Sequence, residues 1–268
     1  MFKGYYGLTF NPFDKEAAAK NFAFVSRDFK EMTDRLNFVK DTRGIGIFTA
    51  PPGYGKTFAL RCFVSALNPN LFQVAYISLS TVSVIDFYRQ FCETLHLPAS
   101  NKKSGMFNAV QERLFTLYKE KRRPLILAVD EAHELDDRIL KDFKMIMNHD
   151  FDSLNCFTLL LIGEPHLNNT LQKPVHEAFR QRITVHYSFN GLSDAETESY
   201  ILHKLSEAGC SVPILGENVA RTVNGASQGN PRITDSIMSA ALTLGAQLDK
   251  KVIDSDVILA AVNSLVLG

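Results

Sequence analysis

The chain has 268 residues, 46% of them hydrophobic, which suits one large domain or a medium domain with a small companion and needs no disulfide staples. Lysine plus arginine balance aspartate plus glutamate at 29 each, so net charge gives no sign of a nucleic-acid partner, although a local basic stripe repeated around an oligomer could still bind one. Four scattered cysteines without a C-x-x-C pair point to reduced, mostly buried thiols of a cytoplasmic protein, and no run of about 18 apolar residues predicts a membrane span.

The opening "MFKGYYGLTF" lacks the apolar core of a signal peptide. Residues Leu8 to Phe13 follow neither a helical nor a strand period, and Asn11-Pro12 is a turn pair. "GIGIFTA" (44–50) is an apolar run ending in a turn signal and reads as a buried strand. A helix from Thr57 to Ala66 follows, then a strand at 72–80. Apolar residues at Ile85, Tyr88, Phe91, Cys92 and Leu95 predict a helix over 84–95, ended near Pro98. A second helix over 104–121 carries Met106, Val110, Leu114 and Leu117 on one side. Then come a strand at 124–130, a helix at 136–148, and strands at 156–163 and 183–189. Strands alternating with helices, and nearly all apolar, imply a parallel sheet covered on both faces. Past Gly191 the pattern turns helical: Ser193 with Glu196 forms a capping box and Gly209 ends that helix. "DVILAAVNSLVLG", interrupted by Asn263 and Ser264, reads as an amphipathic helix. The division is therefore an α/β domain over 1–190 and a small all-helical domain over 191–268.

"APPGYGKTF" (50–58) nearly fits G-x-x-x-x-G-K-[ST], the loop whose backbone N–H groups surround nucleotide phosphates at a helix N-terminus. Ala50 replaces the first glycine, at a strand end where a small residue is the main need. Gly53 and Gly55 permit unusual dihedrals and close approach, Lys56 reaches the outer phosphates, and Thr57 holds Mg²⁺. Pro52, Tyr54 and Phe58 complete the expected nucleotide-binding loop. "LILAVDEAH" (125–133) delivers two carboxylates at the end of an apolar strand, where ligands sit in open α/β sheets. Asp130 is the expected Mg²⁺ partner, and Glu131 the group that orients the attacking water. His133 reads as a hydrogen-bonding partner of carboxylates, with no zinc pattern around it. Arg180 and Arg182 in "EAFRQRITV" (177–185) are candidate arginine fingers for a neighbouring subunit, the bland alternative being a solvated helix end. "GNPR" (229–232) starts a helix at Pro231 and would point Arg232 towards nucleotide.

Together these motifs resemble the AAA+ ATPases: "APPGYGKT", "LILAVDEAH", "LLLIGEP", "FRQRI" and "GNPR" stand in that family's order. "YYGLTFNPF" (5–13), "LIGEPHL" (161–167), "RQRI" (180–183) and "ESYILHKLSEAG" (198–209) narrow the resemblance to the ExeA, or general-secretion-A, group. The resemblance implies an AAA+ P-loop sheet followed by a helical lid, with ATP and Mg²⁺ as cofactors. It also implies a homo-oligomer, ring or filament, and an N-terminal segment over the adenine to which Phe10, Asn11, Pro12 and Phe13 contribute. Glu164 falls at the sensor 1 position and is carried among the catalytic residues, although a carboxylate facing the γ-phosphate would be repelled. Short members of the group resemble helper ATPases that choose target DNA for a transposase; others are secretion ATPases with a transmembrane segment and a peptidoglycan-binding domain. This chain stops after the lid, which favours the first kind. A nucleotide-switch adaptor is the remaining reading.

The resemblance also gives meaning to the paired helices between strands 72–80 and 124–130. Initiator-type relatives grip DNA with such an insertion, and here the joining loop "LPASNKKSG" (97–105) offers Lys102 and Lys103 to double-stranded DNA, with hydroxyls at Ser80, Thr81 and Ser104 as helpers. Such contacts would hold phosphates without reading bases.

Overall fold

A computed structural model of the chain describes residues 2–14, 23–78, 83–148 and 154–265. The proposed helpers Ser80 and Thr81 lie outside the described residues. The chain forms two compact units: Glu31–Pro52 with Lys56–Phe189, and Met1–Lys30 with Gly53–Gly55 and Asn190–Gly268.

The first of these contains a five-stranded, wholly parallel sheet: β1 Ile45–Thr49, β2 Gln73–Ile77, β3 Leu125–Val129, β4 Phe157–Gly163 and β5 Ile183–Ser188. Its order is β2-β3-β4-β1-β5. Every residue of β1, β3 and β4 is buried, as continuous apolar runs require of strands covered on both faces. The edge strands β2 and β5 alternate instead, because each has a neighbour on one side only. Helices Val84–Thr94, Lys103–Lys119 and Asp137–Ile146 pack Phe87, Tyr88, Phe91, Leu114 and Phe143 onto the sheet side chains. At roughly 1.5–3 kcal/mol per large apolar side chain removed from water, this cluster dominates the stability of the unit.

The order has one consequence for chemistry. β4 lies between β1 and β3, so Gly163 pairs with Thr49 on one side and Leu161 with Val129 on the other. The segments leaving β1, β4 and β3 thus emerge side by side at the carboxyl edge of the sheet, where open α/β folds bind ligands.

The second unit packs helices Asp194–Glu207, Val219–Ser227, Pro231–Gln247 and Ser255–Leu265 around Ile201, Val223, Met238, Leu242 and Ile258. The capping box at Ser193 and Glu196 is present, with both reciprocal hydrogen bonds. Tyr6, Leu8 and Phe13 are buried in the same core, and Tyr6 Oη donates to Lys250 O at 2.8 Å. A helix over Arg27–Thr42, capped by Ser26 whose Oγ accepts the Phe29 N–H at 3.2 Å, buries Met32, Leu36 and Val39, residues of the first unit, at near-helical spacing. Among the described residues no helix is long and apolar enough to cross a membrane.

Candidate nucleotide site

The loop after β1 begins with Ala50, whose N–H donates to Gly163 O at 3.2 Å, and ends where a helix starts at Lys56. Ala50 is 1% exposed, so a small side chain is accommodated at the strand end. Gly53 and Gly55 have φ of +90° and +91°, a region closed to most L-residues. A Cβ on Gly55 would meet nothing within 4 Å, so conformation alone demands glycine there. A Cβ on Gly53 would stand 2.9 Å from the Arg232 Cβ and 2.5 Å from Asn230 Oδ1, within one unit. Asn230 caps the helix that Pro231 begins, accepting the Arg232 N–H at 3.0 Å, and the Arg232 side chain is exposed. Lys56 is buried at 8% exposure and folds back on the loop, with Nζ donating to Ala50 O at 2.6 Å and Pro51 O at 3.1 Å. Backbone carbonyls are weaker partners for an ammonium than phosphate oxygens, so this lysine can exchange them for a polyphosphate at a gain.

Thr57 lies one residue into the helix, and its Oγ1 donates to Asp130 Oδ2 at 2.8 Å. A carboxylate only accepts, so the hydroxyl proton is committed to Asp130 and the Thr57 lone pairs are left for a cation. Asp130, 4% exposed, also accepts its neighbour's Glu131 N–H on Oδ1 at 3.0 Å. A third partner went unnoticed in the sequence: Tyr76, on edge strand β2, donates to the same Oδ2 at 2.8 Å. Burial and then this hydrogen bond push the Tyr76 phenol up from its ordinary value, so it stays a neutral donor. The β2–β3 pairing, with Ile77 opposite Val129, brings it there, and one residue's alternation signal could not reveal that. A hydroxyl and a buried carboxylate at a helix N-terminus beside a phosphate-type loop are the donor set that Mg²⁺ takes with nucleotide.

Glu131 sits in the left-handed region at φ 51°, ψ 36°, a conformation that costs a non-glycine residue on the order of 1–3 kcal/mol. Its side chain is 58% exposed. Asp136 then caps helix Asp137–Ile146, and hydrogen bonds from the Arg138 side chain and backbone lower its carboxyl to about 2.

His133, Glu134, Glu164 and His166 gather next to these groups, with candidate ligand atoms of His133, Glu134 and His166 within 4.8 Å of one another. The His133 ring is 6% exposed and stands edge-on to His166, centroids 4.4 Å apart. Its Nδ1 accepts the Glu164 backbone N–H at 3.1 Å, which puts the ring proton on Nε2. A cation on Nε2 would strip the ring of its only proton, and one on Nδ1 would displace the Glu164 N–H. The arrangement therefore works as a hydrogen-bonded cluster, with Nε2 facing Glu134 Oε1 at 3.4 Å. The 3.5 Å approach of Glu131 Oε2 to Nδ1 joins two acceptors and is not a hydrogen bond. Glu164 is thus tied through its backbone to His133, while its carboxylate lies 3.7 Å from His166 Nδ1.

Arg180 is committed within its own unit, donating to Leu171 O at 2.7 Å and Lys173 O at 3.1 Å. Arg182 is half-buried at the entry to β5. Of the two lysines assigned to DNA, Lys103 is ion-paired with Asp142 at 2.6 Å and lies 5.7 Å over the Tyr88 ring, whereas Lys102 is exposed. Ser104 is exposed beside them. Pro12 and Phe13 are buried, with the Lys204 ammonium 5.6 Å from the Phe13 ring centre. Asn11 bonds Ser239 Oγ at 3.1 Å and the Phe13 N–H at 3.1 Å, and Phe10 is half-buried against the helical core. Phe58 is half-buried with the Arg61 guanidinium 5.3 Å over its ring, and Tyr54 Oη donates to Gln228 O at 3.2 Å.

Residues 39–171 match the family model of an AAA domain. Over 266 residues the chain is 29% identical to general secretion pathway protein A of Aeromonas hydrophila, an alignment covering 97% of this chain and 48% of that protein. The chain thus spans about half the length of the curated relative it matches. Cdc6p of Pyrobaculum aerophilum superposes with a TM-score of 0.70 at 14% identity, covering 96% of this chain and 71% of that one. Drosophila ORC bound to DNA gives 0.64 at 14% identity, over 90% and 61%. The RuvB Holliday junction branch migration motor of Thermotoga maritima gives 0.57 at 16% identity, over 90% and 70%. At such identities the likeness to these structures is one of fold. With five parallel strands, a phosphate-type loop after β1, acidic residues after β3 and a helical C-terminal part, the fold is that of the AAA+ P-loop ATPases, and the sequence is related to general secretion pathway protein A.

Proposed function

We propose that this chain is an ATP hydrolase that assembles as a homo-oligomer, ring or filament, on double-stranded DNA in the cytoplasm and directs target choice by a transposase. The ATPase part is carried by one observation: Lys56 in the mouth of the loop, with Thr57 hydrogen-bonded to buried Asp130. In this reading the backbone N–H groups from Gly53 to Thr57 and the Lys56 ammonium bind phosphates, and Thr57 and Asp130 hold Mg²⁺. Bound Mg²⁺ neutralises charge that develops on the phosphates. Glu131, half-exposed beside Asp130, orients water. Glu164 acts through His133 on the Glu131 turn instead of touching a γ-phosphate that it would repel. Arg182 completes the site of a neighbouring subunit, Arg180 props the helix ahead of it, and Arg232 is assigned to the nucleotide phosphates. Phe10 offers its face to adenine, while Asn11, Pro12 and Phe13 fix the segment that presents it.

Support for DNA comes from proteins of the same fold, among them an ORC bound to DNA and a Holliday junction motor. Support for a transposase rests on the motif resemblance. Assembly of envelope complexes without DNA is the second reading, favoured by the 29% identical relative named for general secretion. A mobility shift on duplex DNA with and without ATP separates the two. An ATP-dependent shift that Lys56→Ala abolishes supports the first reading; no shift at low salt, with ATP bound, moves the assignment to the second.

A further inference from the structure

Six cations gather at the edge of the sheet opposite the nucleotide site. Lys40 and Arg43 lie at and just past the end of helix Arg27–Thr42, before β1. Lys119, Lys121, Arg122 and Arg123 lie at and past the end of helix Lys103–Lys119, before β3. Only Asp41 and Glu120 oppose them in these two stretches, in a chain that is neutral as a whole. The two stretches meet in space. The Arg43 guanidinium stands 4.8 Å over the Tyr118 ring, which the Lys119 ammonium also approaches at 5.9 Å. Arg43 Nε donates to Asn155 O at 2.9 Å and Arg123 Nε to Phe72 O at 3.2 Å, while Lys40 lies 5.4 Å over the Phe72 ring. Lys40 also pairs with Asp41 at 3.3 Å, whereas the rings and carbonyls fix the Arg43, Lys119 and Arg123 heads without neutralising them. Lys119, Lys121 and Arg122 are exposed.

A helix C-terminus attracts cations, and that is the ordinary explanation. Each end carries roughly half a negative charge, so two ends account for about one cation. Six cations against two carboxylates leave a surplus several times larger. We propose that this edge is an interaction surface for the sugar–phosphate backbone of duplex DNA. Guanidinium groups braced on aromatic rings suit phosphate oxygens. With neighbouring strands about 4.8 Å apart, the row from β1 to β2 is roughly 14 Å long and runs beside about four phosphates of one strand. An anionic membrane would ask for an apolar wedge among the cations; Tyr118 and Phe72 lie half-buried beneath them instead, and exposed Leu71 is the residue that makes the membrane worth testing. The proposal rests on the DNA reading above and names a surface which that reading does not use.

The test is Lys119→Gln with Lys121→Gln and Arg122→Gln, three exposed changes away from the nucleotide site. Binding to a labelled duplex is followed by fluorescence anisotropy across salt concentrations, with ATP present, beside binding to phosphatidylserine vesicles and ATP turnover without DNA. Three lost phosphate contacts should flatten the slope of log affinity against log salt by about 2.7, with basal turnover and thermal melting unchanged. A wild-type slope in the triple variant overturns this surface and leaves the DNA reading standing. Loss of vesicle binding with the DNA slope unchanged also overturns it, in favour of a membrane. No duplex binding by the wild type removes both this surface and the DNA reading.

Discussion

His133 gives the sharpest test of how the carboxyl edge is held. Its ring fills a buried space against Gly163, where an added Cβ would come within 3.2 Å of Nδ1, and that nitrogen accepts the Glu164 N–H. His133→Ala removes both the ring and the acceptor. Emptying a well-packed site costs on the order of 2–5 kcal/mol, and the orphaned N–H adds about 1 kcal/mol or more. His133→Asn is the informative companion, because its Oδ1 can stand where Nδ1 stood and accept the same N–H while the rest of the ring is lost. The two variants should therefore differ by about 1–1.5 kcal/mol, the net contribution of one neutral hydrogen bond. For a unit of this size that is roughly 2–6 °C between their melting temperatures. Calorimetry of wild type and both variants measures it, with single-turnover ATP hydrolysis alongside. Turnover should fall in His133→Ala with ATP affinity nearly unchanged, since the Glu131 turn loses its support and the phosphate loop does not. Coincident melting of the two variants would show that the Glu164 hydrogen bond contributes nothing. Wild-type turnover in a folded His133→Ala would remove the link to Glu131.

Glu131→Gln should bind ATP as wild type does and lose about 10²–10⁴-fold in hydrolysis, measured by titration calorimetry and phosphate release; an unimpaired rate would dismiss Glu131 as the water-orienting group. Asp136→Asn keeps a capping oxygen but removes the charge that Arg138 stabilises. The folded carboxyl, at about 2, lies below its unfolded value near 3.9, so its stabilisation is present above the unfolded value and is lost as pH falls towards 2. Discounted for solvent screening, the gap between wild type and variant should be about 1 kcal/mol near neutrality and should shrink below about pH 4 in urea melts; a gap that stays constant with pH contradicts the assignment.

Much of the scaffold was legible because its signals are local. Periods of 2 and 3.6 residues act within one element, so the five strands and the helices between β1 and β4 are placed to within a few residues, as at Phe157–Gly163 against an expected 156–163, whereas the short helix His166–Gln172 after β4 carries no such signal. The phosphate loop and the acidic pair after β3 are likewise contiguous motifs, and the capping box at Ser193 spans four residues. What lay beyond the sequence is what distant segments do to one another. Strand order is such a case: only the placement of β4 between β1 and β3 brings Glu164 to His133. Tyr76 reads as an exposed residue of an edge strand until pairing with β3 brings its hydroxyl to Asp130. Lys102 and Lys103 are equivalent in the sequence, yet a carboxylate 39 residues on, at Asp142, holds one of them. The basic edge is assembled from two stretches far apart in the chain, neither conspicuous alone in a neutral protein. Hydrogen bonds, ion pairs and ring contacts reach only a few ångströms, so whether a side chain has a partner is decided by which segments the packed core brings within that reach.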